Sequence, residues 1–233
     1  MPPLQKGEFH RGNAGFAEET RRNSGENLRV SSANPAPPRL LPLLLLLIFV
    51  GGCAPKHTFT GIVFDDLQPV GELRGTNHTG QPFDLVNLRG KSVLVFFGYT
   101  FCPDVCPTTL AEVSSALRML AKDDPKAAES LAVLFVTIDP ERDTVERLAQ
   151  YVHAFHPDIL GVVVEPSQLD EVKSNFGVYA EKSDVSHSSA AGYLMDHTAG
   201  VYLIDGDGNL AALFPHDTPA DVLAADLKVL LKR

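Results

Sequence analysis

An α/β domain with a central sheet flanked by helices is the fold class the sequence predicts, on three observations. Two runs, residues 92–98 and 131–138, are continuously apolar and rich in Val, Leu and Phe, the pattern of strands buried on both faces of a sheet. Between them Leu110, Val113, Leu117 and Leu120 recur at helical spacing. Near the end, residues 201–204 and 210–214 flank Asp205-Gly206-Asp207-Gly208-Asn209, a hairpin signature.

The elements follow in chain order. Residues 1–39 are polar, rich in Gly, Asn, Ser and Pro, and lack apolar periodicity, which predicts a disordered extension or one misassigned to the chain. Residues 40–53 form an apolar run ending in Val50-Gly51-Gly52-Cys53. The apolar stretch itself is 11 residues, 40–50, short of the roughly 17–25 that cross a bilayer. With Arg39 before it and small residues after it, the run reads as a secretory signal. Its ending resembles a lipobox, in which Cys53 would be acylated and become the first mature residue. A signal is expected within about 15–30 residues of the start; translation beginning at Val30 would account for its depth. Residues 54–58 are then a short tether, and 59–233 the folded domain.

Within that domain, Pro107 suits the first position of a helix, and Asp139-Pro140 ends the second buried strand. Residues 144–155 carry an apolar stripe of Val145, Leu148, Tyr151 and Val152. A short strand at 160–164, a short helix at 168–176 and a closing amphipathic helix at 217–231 complete the set. Strand, helix, strand, helix, hairpin and final helix is the order of a thioredoxin-like domain. The Asp205–Asn209 run lacks the length and terminal Glu of an EF-hand loop and is expected to be the hairpin turn.

Chemistry concentrates in Gly98-Tyr99-Thr100-Phe101-Cys102-Pro103-Asp104-Val105-Cys106-Pro107. In a helical turn, the i,i+4 spacing puts both sulfurs on one face, and a helix N-terminus favours thiolate. Two such thiolates can cycle through a disulfide or hold a soft metal ion. Dithiol oxidoreductases of this fold use two residues between the cysteines, whereas Pro103, Asp104 and Val105 make three here. Such enzymes also place a proline opposite the pair. Residues 181–214 contain none, and His197 stands in Tyr193-Leu194-Met195-Asp196-His197-Thr198-Ala199-Gly200 instead. Two thiolates and one imidazole suit three-coordinate Cu(I); zinc usually asks for a fourth ligand. His57, His78, His153, His156 and His216 are expected to be ordinary exposed or half-buried histidines. His187, ten residues before His197 in a Ser-rich loop, is harder to set aside.

The Phe97-to-Leu110 segment closely resembles the signature of the Sco/SenC family, and so do Val136-Thr137-Ile138-Asp139-Pro140-Glu141-Arg142-Asp143-Thr144 and Asp196-His197-Thr198. The similarity covers roughly residues 59–231. Members of that family act in assembly of the dinuclear copper centre of cytochrome c oxidase. The resemblance implies a thioredoxin-like fold, copper as the metal, and Cys102, Cys106 and His197 as its ligands. It also implies a membrane-tethered, periplasm-facing protein whose client is the copper-bearing subunit of cytochrome c oxidase. A periplasmic thiol reductant or a copper donor would serve as a further partner. Two departures stand out: the chain carries a lipobox where the family often has a transmembrane anchor, and Phe101 where many members have histidine. The Phe101 ring is expected to exclude water rather than bind metal.

Two acidic residues are candidates for supporting roles. Asp104, between the cysteines, could tune thiolate charge, and Asp139 could orient His197 or simply start the next helix. The main expectation is a copper-delivering metallochaperone rather than an enzyme. The alternative is a thiol–disulfide oxidoreductase, reducing the cysteines of the same client site, or a redox sensor. A permanent Cys102–Cys106 disulfide would leave His197 without a role. The absence of Pro-x-x-x-Thr-x-x-Cys around Cys102 argues against a peroxiredoxin. The chain's net charge of −9 argues against nucleic acid as a partner.

Overall fold

The structure, a computed structural model, describes residues 57–183 and 192–232. Cys53, His187, the extension and the signal run lie outside the described residues. In chain order the elements begin with β1 (Ile62–Pro69), β2 (Arg74–Asn77), β3 (Pro82–Asp84), a 3-10 turn (Leu85–Leu88) and β4 (Ser92–Gly98). Next come α1 (Val105–Asp123), α2 (Pro125–Glu129), β5 (Leu131–Thr137), α3 (Val145–His153), β6 (Ile159–Val163) and α4 (Leu169–Phe176). The chain ends with β7 (Ala180–Ser183), β8 (Leu194–His197), β9 (Val201–Ile204), β10 (Asn209–Phe214) and α5 (Ala220–Leu230).

Eight strands form one sheet in the order β1-β10-β9-β4-β5-β6-β2-β3, and β7 pairs β8 in a separate two-stranded sheet. The apolar runs at 92–98 and 131–137 take the centre, as their composition requires. There β4 and β5 pair in parallel with Gly98 opposite Thr137, and Val93 to Phe97 are buried. The strands β5 and β6 are also parallel, while β9 joins β4 antiparallel. Leu110, Val113, Leu117 and Leu120 of α1 are all buried. The start of α5 is tied to α1, where the Glu112 carboxylate accepts the Ala220 N–H at 2.7 Å.

Several boundaries differ from the sequence expectation. Helix α1 begins at Val105, so Pro107 occupies its third position. That position is tolerated because the first four N–H groups of a helix have no intrahelical acceptor. Helix α5 starts at Ala220, not 217, because Pro219 disfavours helical backbone at Thr218 before it. Helix α3 ends at His153, short of the expected residue 155. The Asp205 carboxylate accepts the N–H groups of Asp207 and Asn209, and Gly208 takes φ 79°, closing the β9–β10 hairpin turn as expected.

Buried carboxylates do the joining. Asp226 of α5, 1% exposed, accepts from His57 Nε2 at 2.6 Å and from the Thr60 N–H at 2.9 Å, fixing the beginning of the described domain. Asp143, fully buried, accepts the Thr100 N–H at 3.0 Å, the Thr100 hydroxyl at 2.6 Å and the Thr137 hydroxyl at 2.6 Å. It thereby ties the loop after β4 to the end of β5. Burial pushes the Asp143 carboxyl above the usual carboxylate range, against the pull of these hydrogen bonds.

Asp143→Ala should strand two hydroxyls and one N–H, destabilising the domain by about 2–3 kcal/mol. Urea unfolding of the variant checks this, and an unchanged midpoint would show that the carboxylate is not a structural tie.

Candidate metal centre

The loop after β4 turns tightly, with the Cys102 N–H donating to the Tyr99 carbonyl at 3.2 Å. Cys102 thus sits just ahead of α1, and its sulfur accepts the Cys106 N–H at 3.3 Å. That N–H belongs to the first turn of the helix, where donors point outward toward anions. Cys106 lies on the buried face, 0% exposed, while Cys102 is half-buried; both are free thiols. The Cys106 sulfur fits only because residue 98 is glycine: a Cβ there would lie 2.9 Å from Sγ and 2.8 Å from the Phe135 ring.

His197 arrives from the last position of β8. Its Nδ1–H donates to the Thr198 carbonyl at 2.9 Å, which leaves the Nε2 lone pair facing Cys106 Sγ at 3.7 Å. The Tyr99 ring meets the imidazole edge-on at 5.9 Å between centroids. The β7–β8 hairpin is held to the main body at several points. Tyr99 Oη accepts the Met195 N–H at 3.2 Å, and Tyr193 Oη donates to Asp139 Oδ1 at 2.7 Å. The Arg142 guanidinium donates to the Asp139 carboxylate and to the Tyr193 carbonyl, and lies 3.5 Å from the Tyr193 ring centroid.

The donor atoms of Cys102, Cys106 and His197 all lie within 4.8 Å of one another, the metal-competent cluster among the described residues. Donors bonded to one ion at about 2.0–2.3 Å lie at most about 4.6 Å apart, so the cluster is near the size that one ion would draw together. The electrostatics are asymmetric. Hydrogen bonding from the Cys106 thiol, with smaller help from the backbone N–H groups of Cys106 and Asp104, outweighs burial and brings Cys102 down to about 4. Cys106 moves strongly upward, because its proton is shared with the Cys102 sulfur and because it is buried. The pair therefore holds one ready thiolate and one retained proton. Cys102 borders an open cleft of about 340 Å³ lined in part by Tyr99, Asp104, Met195 and His197, with Cys106 buried behind it.

The supporting roles differ from expectation. Asp139 does not orient His197, whose Nδ1 already has the Thr198 carbonyl; it holds Tyr193 and Arg142 instead. Asp104 precedes α1 without a side-chain capping bond and borders the cleft, exposed. Phe101 does not line the cleft: its ring lies 4.8 Å from the Arg142 guanidinium and 4.6 Å from that of Arg147. Among the other described histidines, His78 Nδ1 accepts the Gly161 N–H, and His156 Nδ1 accepts the Asp158 N–H. Asp143 and Tyr99 were missed, since a lone Asp after a strand and a Tyr before a cysteine loop carry no spacing signal.

A central sheet flanked by helices, with paired cysteines at the head of the first long helix and a histidine beside them, is a thioredoxin-like domain whose cysteine–histidine cluster could hold a soft metal ion. The chain belongs to the SCO1/SenC family, whose pattern matches residues 66–232. It is 36% identical over 138 residues to "Protein SCO2 homolog, mitochondrial" of Danio rerio, an alignment covering 59% of this chain and 48% of that one. The chain spans about half the length of this relative. Among solved structures, Bradyrhizobium japonicum ScoI with copper bound is similar at 38% identity and TM-score 0.61, covering 68% of this chain and 97% of that one. Apo Sco1 from Thermus thermophilus is similar at 38% identity and TM-score 0.66, covering 76% and 99%.

Alkylation of the apo protein by iodoacetamide should modify Cys102 first. Its rate should be nearly flat at neutral pH and decline only as pH falls toward about 4, because the thiolate fraction is lost there. Peptide mapping across pH checks this; a rate still rising through pH 8 would mean Cys102 is an ordinary thiol. Gly98→Ala should displace the Cys106 sulfur and cost about 1–3 kcal/mol of stability, read by thermal unfolding.

Proposed function

We propose that this protein is a copper metallochaperone: it binds Cu(I) through Cys102, Cys106 and His197 and delivers it to the copper-bearing subunit of cytochrome c oxidase. The observation carrying the proposal is the convergence of two sulfurs with an imidazole whose tautomer is already set for coordination. Copper is cargo here. Cys102 offers a thiolate, Cys106 gives up its proton on loading, and the Thr198 carbonyl keeps His197 Nε2 turned inward. Transfer is ligand exchange, in which a client sulfur or nitrogen bonds the ion as a bond to this site breaks, with the oxidation state unchanged. A periplasmic thiol reductant or a copper donor would keep the pair reduced or loaded.

The family relationship and the copper-bound Bradyrhizobium relative support this reading. The lipobox-like Val50-Gly51-Gly52-Cys53 run supports a lipid-anchored, periplasm-facing location, with residues 54–58 as tether and 59–233 as the copper-binding domain. Among the described residues no helix is long and apolar enough to cross a membrane.

Anaerobic Cu(I) titration against a competing chelator is the test. One-to-one binding is expected, with His197→Ala weaker by at least about tenfold, or 1.4 kcal/mol. Weak binding indifferent to His197 would overturn the reading and leave a thiol–disulfide oxidoreductase. Loading should also release about one proton per copper near pH 7, since metal ligation requires Cys106 to deprotonate. Potentiometric titration of unbuffered protein reads that number directly, and proton-neutral loading would contradict the role given to Cys106.

A further inference from the structure

Side chains alternate along a strand, so within β8 Met195 and His197 face one side while Leu194 and Asp196 face the other. Leu194, Met195 and His197 are half-buried and Asp196 is exposed. All four residues of the strand border the cleft that Tyr99 and Cys102 also line, Met195 among them on the His197 face. The Met195 backbone is fixed by the N–H bond to Tyr99 Oη at 3.2 Å, and its side chain packs against the edge of the core. What methionine adds there is a thioether on the strand face that carries the His197 imidazole.

We infer that the Met195 sulfur is a fourth donor of the centre, a weak thioether ligand to copper; this rests on the copper reading above. Thioethers are soft, neutral donors that suit Cu(I), and a long, weak methionine bond beside three stronger ligands is an arrangement copper sites use. Unlike Cys106, Met195 carries no proton and binds without releasing one. Its place on the strand that carries His197, bordering the open cleft, gives it a role in hand-over. When a client thiol bonds the ion and its proton passes to the departing cysteine thiolate, Met195 keeps the ion from falling to too few donors. The ion stays Cu(I) throughout, so no oxidant or reductant enters the step.

The chain contains three methionines, Met1, Met119 and Met195, and Met119 is a 41%-exposed residue of α1. The test uses the full chain with Met119→Leu, labelled with selenomethionine. Selenium-edge X-ray absorption is recorded with and without one equivalent of Cu(I), and copper content is measured on the same samples. Copper should appear as a neighbour of selenium on loading and be missing from the Met119→Leu/Met195→Leu protein. Met195→Leu alone should still load one copper but lose it to a chelator about tenfold faster, equivalent to 1.4 kcal/mol. Stoichiometric copper without a copper neighbour at selenium overturns the inference, whatever the release rate, and leaves Met195 a packing residue. Failure of the parent chain to take up copper overturns the functional reading and this inference together, and the copper content distinguishes the two results.

Discussion

Three hydrogen bonds to one buried carboxylate hold the strand ends that carry the centre. Asp143 binds Thr100, two residues before Cys102, and Thr137, at the end of the neighbouring parallel strand. The site's position relative to the sheet is therefore set by a polar tie in an apolar interior. There such a bond is stronger than in water, and an unpaired group is costly. The Asp143 carboxyl bears the desolvation penalty, and the geometry of the cysteine loop is the return.

On that fixed base the asymmetry of the cysteines follows from depth. Cys106 is packed under Gly98 and Phe135, shielded from water, and keeps its proton. Cys102, one helical turn earlier and half-exposed, receives the Cys106 N–H and thiol and becomes the thiolate. The two sulfurs are chemically identical in sequence, and their different protonation is produced by where the β4–α1 turn leaves each of them. A metal ion arriving from the cleft meets the charged sulfur first and the protonated one second.

Much of this was legible in the residues. The buried strands β4 and β5 declared themselves because both faces are covered and the runs are continuously apolar. Cys102, Cys106 and His197 stood out by residue type, and the structure brings their donor atoms together. The peripheral strands were not legible. β1 carries Asp65, Asp66 and a register shift between Val63 and Gln68; β2 reads Arg-Gly-Thr-Asn; and β8 is four residues long with only a hairpin partner. Strands this short, polar or irregular are specified by pairing rather than by periodicity. The Asp139 expectation failed for a related reason: proximity in the motif said nothing about which way the His197 ring turns, and that is decided by a carbonyl one residue away.

His197 belongs to a two-stranded sheet hydrogen-bonded separately from the eight strands whose central member leads into the cysteine loop. A guest gripped by all three side chains is consequently a clasp between two scaffolds, joining them as a rivet joins plates. By linkage, whatever docking of the hairpin adds to the guest's binding, the guest adds to the hairpin's docking, beyond the Tyr99, Tyr193 and Arg142 contacts that already hold it.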